Sequence, residues 1–188
     1  MSDSHIGFLI LDSLIAFCIL YSVLLPMLFP EYYTRYVNHV RGDVFDMLQQ
    51  QVDECATLLT LEDEVAMHRY APDKWSIKEL LGHLCDTERV FAYRALMFAR
   101  GSSNAIPGFE EDDFVRAAQF DRRTVYDIVS ELHSVRASNV ALFRSFSDED
   151  LHKTGIANGH PISVHAIIYI IAGHALHHAA ILHERYLV

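Results

Sequence analysis

The chain has 188 residues, 51% of them hydrophobic, enough for one domain with a sizeable core and an appendage. Its formal charge is −10 with neutral histidines and no basic stripe interrupts it, which argues against a nucleic-acid partner. Three cysteines, Cys18, Cys55 and Cys85, form no Cys-x-x-Cys pair, so the sequence carries no disulfide framework and suits a reducing compartment.

Residues 13–29, SLIAFCILYSVLLPMLF, contain no charge, and residues 6–11 extend the apolar stretch across Asp12. A spanning helix needs roughly 20 such residues, so an N-terminal apolar helix with membrane contact through residues 6–29 is expected. A cleaved signal peptide fits less well. The leading MSDSH has no Lys or Arg, and no small-x-small site precedes Pro30. Arg35 and Arg41 follow the segment, and the positive-inside rule then puts the main domain in the cytoplasm. Two plainer readings compete: an extra buried helix of a soluble cytoplasmic protein, or a stretch translated upstream of the true start. The expected division is residues 1–30 as apolar segment and 31–188 as main domain.

The rest reads as helices, with no convincing period-2 strand run, repeat or low-complexity tract. Val44, Met47, Leu48, Val52, Ala56 and Leu59 predict a first helix over residues 43–60, started by Gly42-Asp43. A long connection holding Pro72 follows. Ser76-Ile-Lys-Glu79 is a capping box that opens a second helix, and Gly101 closes it. Residues 101–121 form another long connection, turned at Pro107-Gly108, with a short acidic-fronted helix over 110–118. A third helix covers 122–146, a short turn opens at Ser147, and residues 155–161 read as a loop. Ser163 caps a fourth helix over 164–186 that is apolar almost all round, so burial on several sides is expected. Long connections between four long helices predict an all-α fold, a four-helix bundle with crossover connections.

Chemistry concentrates in the fourth helix. His174 and His178 are one turn apart, and with His177 they fall within roughly 100° of arc. Two imidazoles on an otherwise apolar face can share one metal ion, and a facing helix can supply a third ligand. A pair of hydrogen-bonded core histidines is the alternative. Ala175 follows His174, so the pattern lacks the glutamate of a His-Glu-x-x-His metalloprotease. By position His83 is a candidate third ligand, with His133 and His165 as competitors. His165 lies more than two turns from His174. Cys85 is two residues from His83 and faces another side. The remaining histidines, His177 among them, read as rim or surface.

An ordered set of segments then carries a family resemblance. These are KWSIKELLGHLCDTER at residues 74–89, Arg94, Ala99-Arg-Gly101, Pro107-Gly-Phe109, Val135-Arg136, His174-x-x-x-His178 and Glu184-Arg-Tyr186. Together they resemble the DinB-like superfamily of small metal-binding bundles over about residues 31–188. The resemblance implies a divalent metal held by His83, His174 and His178, and homodimers are frequent in such proteins. Similar members include thiol-dependent transferases that use bacillithiol or mycothiol, so a low-molecular-weight thiol is an implied cosubstrate. The first 30 residues have no counterpart in that pattern, and Cys85 stands where an aliphatic or small residue is usual.

Three neutral imidazoles leave at least one position for water on zinc or nickel, and the ion would bring that water, or a thiol, toward ionisation near neutral pH. The expected reaction is attack of a metal-activated thiol or water on a small electrophilic substrate, as a transferase or a hydrolase. The competing class is a non-catalytic metal-binding or interaction module, tethered to a membrane. No catalytic group stands out. Asp86 and Thr87, at i+3 and i+4 from His83, are candidates to orient a ligand histidine or the nucleophile. Glu88 and Arg94 are expected to form an internal salt-bridge set, and Trp75 to pack.

Overall fold

The computed structural model describes residues 27–187. Residues 27–30 are extended, then Glu31–Tyr33 makes a 3₁₀ turn that leads into the one-turn helix α1 (Thr34–Val37). Next come α2 (Val44–Cys55), continued by a 3₁₀ stretch to Thr60, and the single turn α3 (Asp63–Ala66). The long helix α4 (Ile77–Ala99), short α5 (Glu111–Ala118), long α6 (Val125–Arg144) and short α7 (Asp148–His152) follow. The strands β1 (Thr154–Ala157) and β2 (His160–Ser163) precede α8 (Val164–Ile181), which ends in a π turn at Leu182–Tyr186.

Polar side chains set where the long helices begin. Ser76 and Glu79 form the expected capping box on α4. Thr124 accepts from Asp127 N on α6, and Ser163 accepts from Ala166 N on α8. The Asp43 carboxylate accepts from Phe45 N and Asp46 N ahead of α2. Each such cap is worth about 1 kcal/mol.

Helices α2, α4, α6 and α8 pack as the bundle, with α4 against both α6 and α8, and α2 against both as well. Its core has two ends. One contains Leu48, Phe91, Phe98, Phe143 and Ile167; the other contains Ile77, Leu81, Ile128, Leu132 and Leu182. Between them lies a buried polar layer made of Gln51 on α2, His83, Thr87 and Glu88 on α4, Arg136 on α6 and His174 on α8. Every helix of the bundle contributes to this layer.

One expectation about the fold is corrected. The fold is mostly helical rather than all-α, because residues 155–161 belong to a hairpin instead of a loop. Thr154 pairs with Ser163 and Ala157 with His160 in an antiparallel register. The turn residues Asn158 and Gly159 both have positive φ (51° and 78°), the geometry of the tight turn that joins twisted strands. Among the described residues, the helix long and apolar enough to cross a membrane is the C-terminal one, residues 164–186, and half of its most apolar window is buried in the bundle. The expected N-terminal apolar helix lies outside the described residues up to residue 26. At its far end, Leu28 is extended chain: its carbonyl accepts from Ser163 N (2.8 Å) and its N–H donates to Ser163 Oγ (3.2 Å).

Candidate metal centre

Helix α4 carries His83 to the face of α8 that holds His174 and His178. His83 Nε2 lies 3.1 Å from His174 Nε2, and His178 Nε2 lies 3.0 Å from the same atom. All three ligating nitrogens fall within 4.8 Å of one another. His83 and His174 are only 2% and 6% exposed, and His178 is half-buried. Nitrogens bound tetrahedrally to zinc at about 2.0–2.1 Å would stand roughly 3.3 Å apart, so the present spacing is near that of a bound set.

The electrostatics favour a cation. Burial pushes His83 down to about 4 and His178 down to about 3, with the neighbouring His83 adding to the effect on His178. His174 is held well below the ordinary range, by burial first and then by His178 and His83. All three are therefore neutral near pH 7. A neutral imidazole has one N–H and one lone pair, so three Nε2 atoms facing one point cannot all be satisfied by each other. A metal ion satisfies all of them at once, and the donor set fits a borderline-soft ion such as zinc or nickel. His178 Nδ1 is buried with no hydrogen-bond partner, so no protein group fixes its tautomer among the described residues.

The surrounding residues hold the rings. Thr87 Oγ1 lies 3.3 Å from His83 Nδ1, one turn along α4, and so fixes which nitrogen of His83 faces the cluster. The Trp75 ring sits 4.6 Å from the His83 ring, tethered by its Nε1 donating to Asp112 Oδ1 (3.1 Å). On the other side the Tyr36 ring meets His174 edge-on at 5.2 Å. That approach depends on Gly173, where a Cβ would collide with the Tyr36 carbonyl.

Behind the rings, Arg136 Nε donates to both Glu88 oxygens (2.8 and 2.9 Å), and its Nη1 donates to Gln51 Oε1. Gln51 in turn donates to the Ala172 carbonyl (3.0 Å), two residues before His174. Asn139 adds a bond to Glu88 at 3.2 Å. The network ties α2, α4, α6 and α8 together at the level of the histidines.

Of the residues singled out from sequence, His83, His174, His178 and Thr87 are brought together. Asp86 is not. Its carboxylate lies 3.8 Å from Arg89, and no hydrogen bond joins it to the three histidines. Glu88 and Arg94 do not pair, because Glu88 is taken by Arg136, while Arg94 donates to the Pro107 carbonyl at 3.0 Å. His133 is exposed on α6, and His165 meets the Tyr169 ring edge-on at 4.9 Å, away from the cluster. His177 stays at the rim, half-buried beside His178. Gln51 and Tyr36 went unnoticed in the sequence. Gln51 had a readable signal, since it follows Leu48 by three residues on the buried face of α2.

Two sizeable cavities reach the cluster. One, of about 200 Å³, touches His178 and is walled by leucines, including Leu80, Leu84 and Leu132. The other, of about 150 Å³, touches His174 and Thr87 and has a more polar wall that includes Tyr33, Arg94 and Asn158.

No curated protein matches the chain. Among solved structures, the chain is similar to YfiT from Bacillus subtilis, described as a probable metal-dependent hydrolase with an unusual four-helix bundle topology. The two are 14% identical with a TM-score of 0.64, over 83% of this chain and 87% of YfiT. It is also similar to a DinB-like protein from Bacillus cereus ATCC 10987, at 17% identity and a TM-score of 0.53, over 71% of this chain and 84% of the other. These likenesses speak for the bundle fold. Residues 45–182, which hold α2, α4, α6 and the histidine-bearing part of α8, match the model of the DinB superfamily, and the chain belongs to that superfamily.

Proposed function

We propose that the protein is a metal-dependent enzyme in which His83, His174 and His178 hold one divalent ion, zinc or nickel, beside two substrate cavities. The observation that carries this reading is the convergence of three neutral imidazole nitrogens, two buried and one half-buried, with one cavity at His178 and another at His174. When bound, the ion would lower the pKa of a coordinated water or thiol toward neutrality. The chain's own residues do the rest. Thr87 holds the His83 ring with Nε2 toward the cluster, Trp75 and Tyr36 flank the rings, and the leucines make one side of the site apolar.

A hydrolase needs one organic pocket and a water. Two cavities of different polarity, one at His178 and one at His174, fit the meeting of two organic reactants better. This favours transfer of a low-molecular-weight thiol to a small electrophile, with hydrolysis as the second reading, supported by the description of YfiT. Open space next to the histidines argues against a purely binding module with a sealed ion. The reading also includes a homodimer, which light scattering of the purified protein tests.

Elemental analysis of the purified full chain tests the site. About one equivalent of divalent metal is expected, and His83→Ala, His174→Ala and His178→Ala should each remove most of it. Unchanged metal in all three sinks the proposal. Conjugation assays with bacillithiol, mycothiol and glutathione, run beside ester and amide hydrolysis, then separate transferase from hydrolase.

A further inference from the structure

Arg94 is 2% exposed, among the largest fully buried side chains of the protein, and it has no carboxylate partner among the described residues. The nearest acidic residue on its own helix, Glu88, is consumed by Arg136. Its Nε is buried without any hydrogen-bond partner. What the guanidinium does have is one carbonyl, that of Pro107 (3.0 Å), the neutral hydroxyl of Tyr33, and two aromatic faces, Phe91 at 5.1 Å and Phe109 at 6.0 Å, none of which carries a negative charge. Such faces stabilise a cation only modestly compared with the cost of removing it from water. A buried charge without a counter-ion signals a missing anion. Arg94 also lines the polar cavity of about 150 Å³ that touches His174. The other charges on that wall, Arg35 and Glu111, are opposite in sign and sit at its exposed rim, so they leave the interior charge of Arg94 unbalanced.

We propose that the polar cavity is a carboxylate-binding subsite in which Arg94 pairs with an acid group of the substrate while the rest of the molecule extends toward His174. A planar guanidinium matches a carboxylate with two parallel hydrogen bonds. The volume is that of a cavity that holds a benzene-sized ligand, about 150 Å³, so the bound fragment is a short carboxylic acid rather than a long chain. Burial on both aromatic faces disfavours the larger, more hydrated phosphate dianion. The inference rests on the metal reading only for what happens at the His174 end; the anion site stands on Arg94.

The test is titration calorimetry on the zinc-loaded full chain with butyrate, butyramide and inorganic phosphate as probes. Butyrate should bind at least roughly 30-fold more tightly than butyramide and more tightly than phosphate, the scale expected for a desolvated charge pair. Arg94→Gln should abolish the preference for acid over amide with bound zinc unchanged by elemental analysis, and Arg94→Lys should restore part of it. Equal binding of acid and amide, tighter binding of phosphate, or full butyrate affinity in Arg94→Gln overturns the proposal. If Arg94→Gln does not fold, the wild-type comparison repeated after chelation decides. A preference that survives zinc removal supports Arg94 as the anchor, and one that vanishes assigns the acid to the metal and overturns it. A chain that holds no zinc yet keeps the acid preference would instead defeat the metal reading alone.

Discussion

Arg136 donates from a single nitrogen, Nε, to both oxygens of Glu88, at 2.8 and 2.9 Å, across the α4–α6 interface and directly behind the histidine layer. Both side chains are about 95% buried. Removing one partner strands the other charge in the core, so Glu88→Ala should cost about 3–5 kcal/mol in urea unfolding. Exchanging both residues together for Leu and Met should recover much of that loss, because the pair's attraction mainly offsets its own desolvation. A single-site cost under 1 kcal/mol would show that the pair is not closed in solution.

Thr87 and Asp86 are adjacent in sequence and should behave oppositely. Thr87→Val removes the group 3.3 Å from His83 Nδ1 and keeps the shape. Metal affinity should fall by roughly 10- to 100-fold, measured by competition with a chromophoric chelator, and Thr87→Ser should restore most of it. Asp86→Asn alters a carboxylate turned to Arg89, so metal affinity should not change and stability should shift by no more than about 0.5 kcal/mol. A drop in affinity for Asp86→Asn comparable to that of Thr87→Val would place Asp86 at the site after all.

The parts of this structure that the sequence displays plainly are those with local causes. The capping box of Ser76 and Glu79, the stop at Gly101 and the all-apolar face of α8 depend on residues within a few turns of one another, and α4 begins and ends where they indicate. The i, i+4 spacing of His174 and His178 is equally local. The hairpin was missed because its strands are four residues long and one holds Pro161, although Asn158-Gly159 was a legible turn signal. Glu88 and Arg94 illustrate a different failure. Six residues apart on a helix is about 120° around it, so the two point away from each other. The true partner of Glu88 comes from α6, 48 residues on. His83 likewise meets α8 across 91 residues, and spacing alone left it level with other histidines until the family pattern singled it out.

Gly173 is small for a reason that local propensity does not supply. A side chain there would meet the backbone of Tyr36, so Gly173→Ala must push α1 off α8 even though alanine favours the helix. The expected cost is about 1–3 kcal/mol, the range for overpacking a tight contact. Near-ultraviolet circular dichroism should change as Tyr36 leaves the edge of His174. A stabilised protein, as expected for Gly→Ala in an unconstrained helix, would mean that the α1–α8 contact is absent in solution.

Acid should act on the fold through the same three rings that would bind the metal. In the metal-free folded chain, burial holds His83 near 4 and His178 near 3, while unfolded histidine titrates at about 6.5. Above that pH both states are neutral at these positions and the rings add no pH dependence. Between about 6.5 and 4 the unfolded chain takes up protons that the folded chain cannot, so unfolding free energy falls as the pH drops. The slope fades once the folded rings begin to protonate. The loss from His83 alone is on the order of 3 kcal/mol, the equivalent of its displacement to about 4. Bound zinc should shift unfolding upward at neutral pH and be released with proton uptake over the same acid range. Urea unfolding at pH 7.5, 6, 5 and 4.5, with and without zinc, measures both effects. In His83→Ala the fall in stability should be visibly shallower, and an unaltered slope would show that His83 is not buried and neutral in the folded protein.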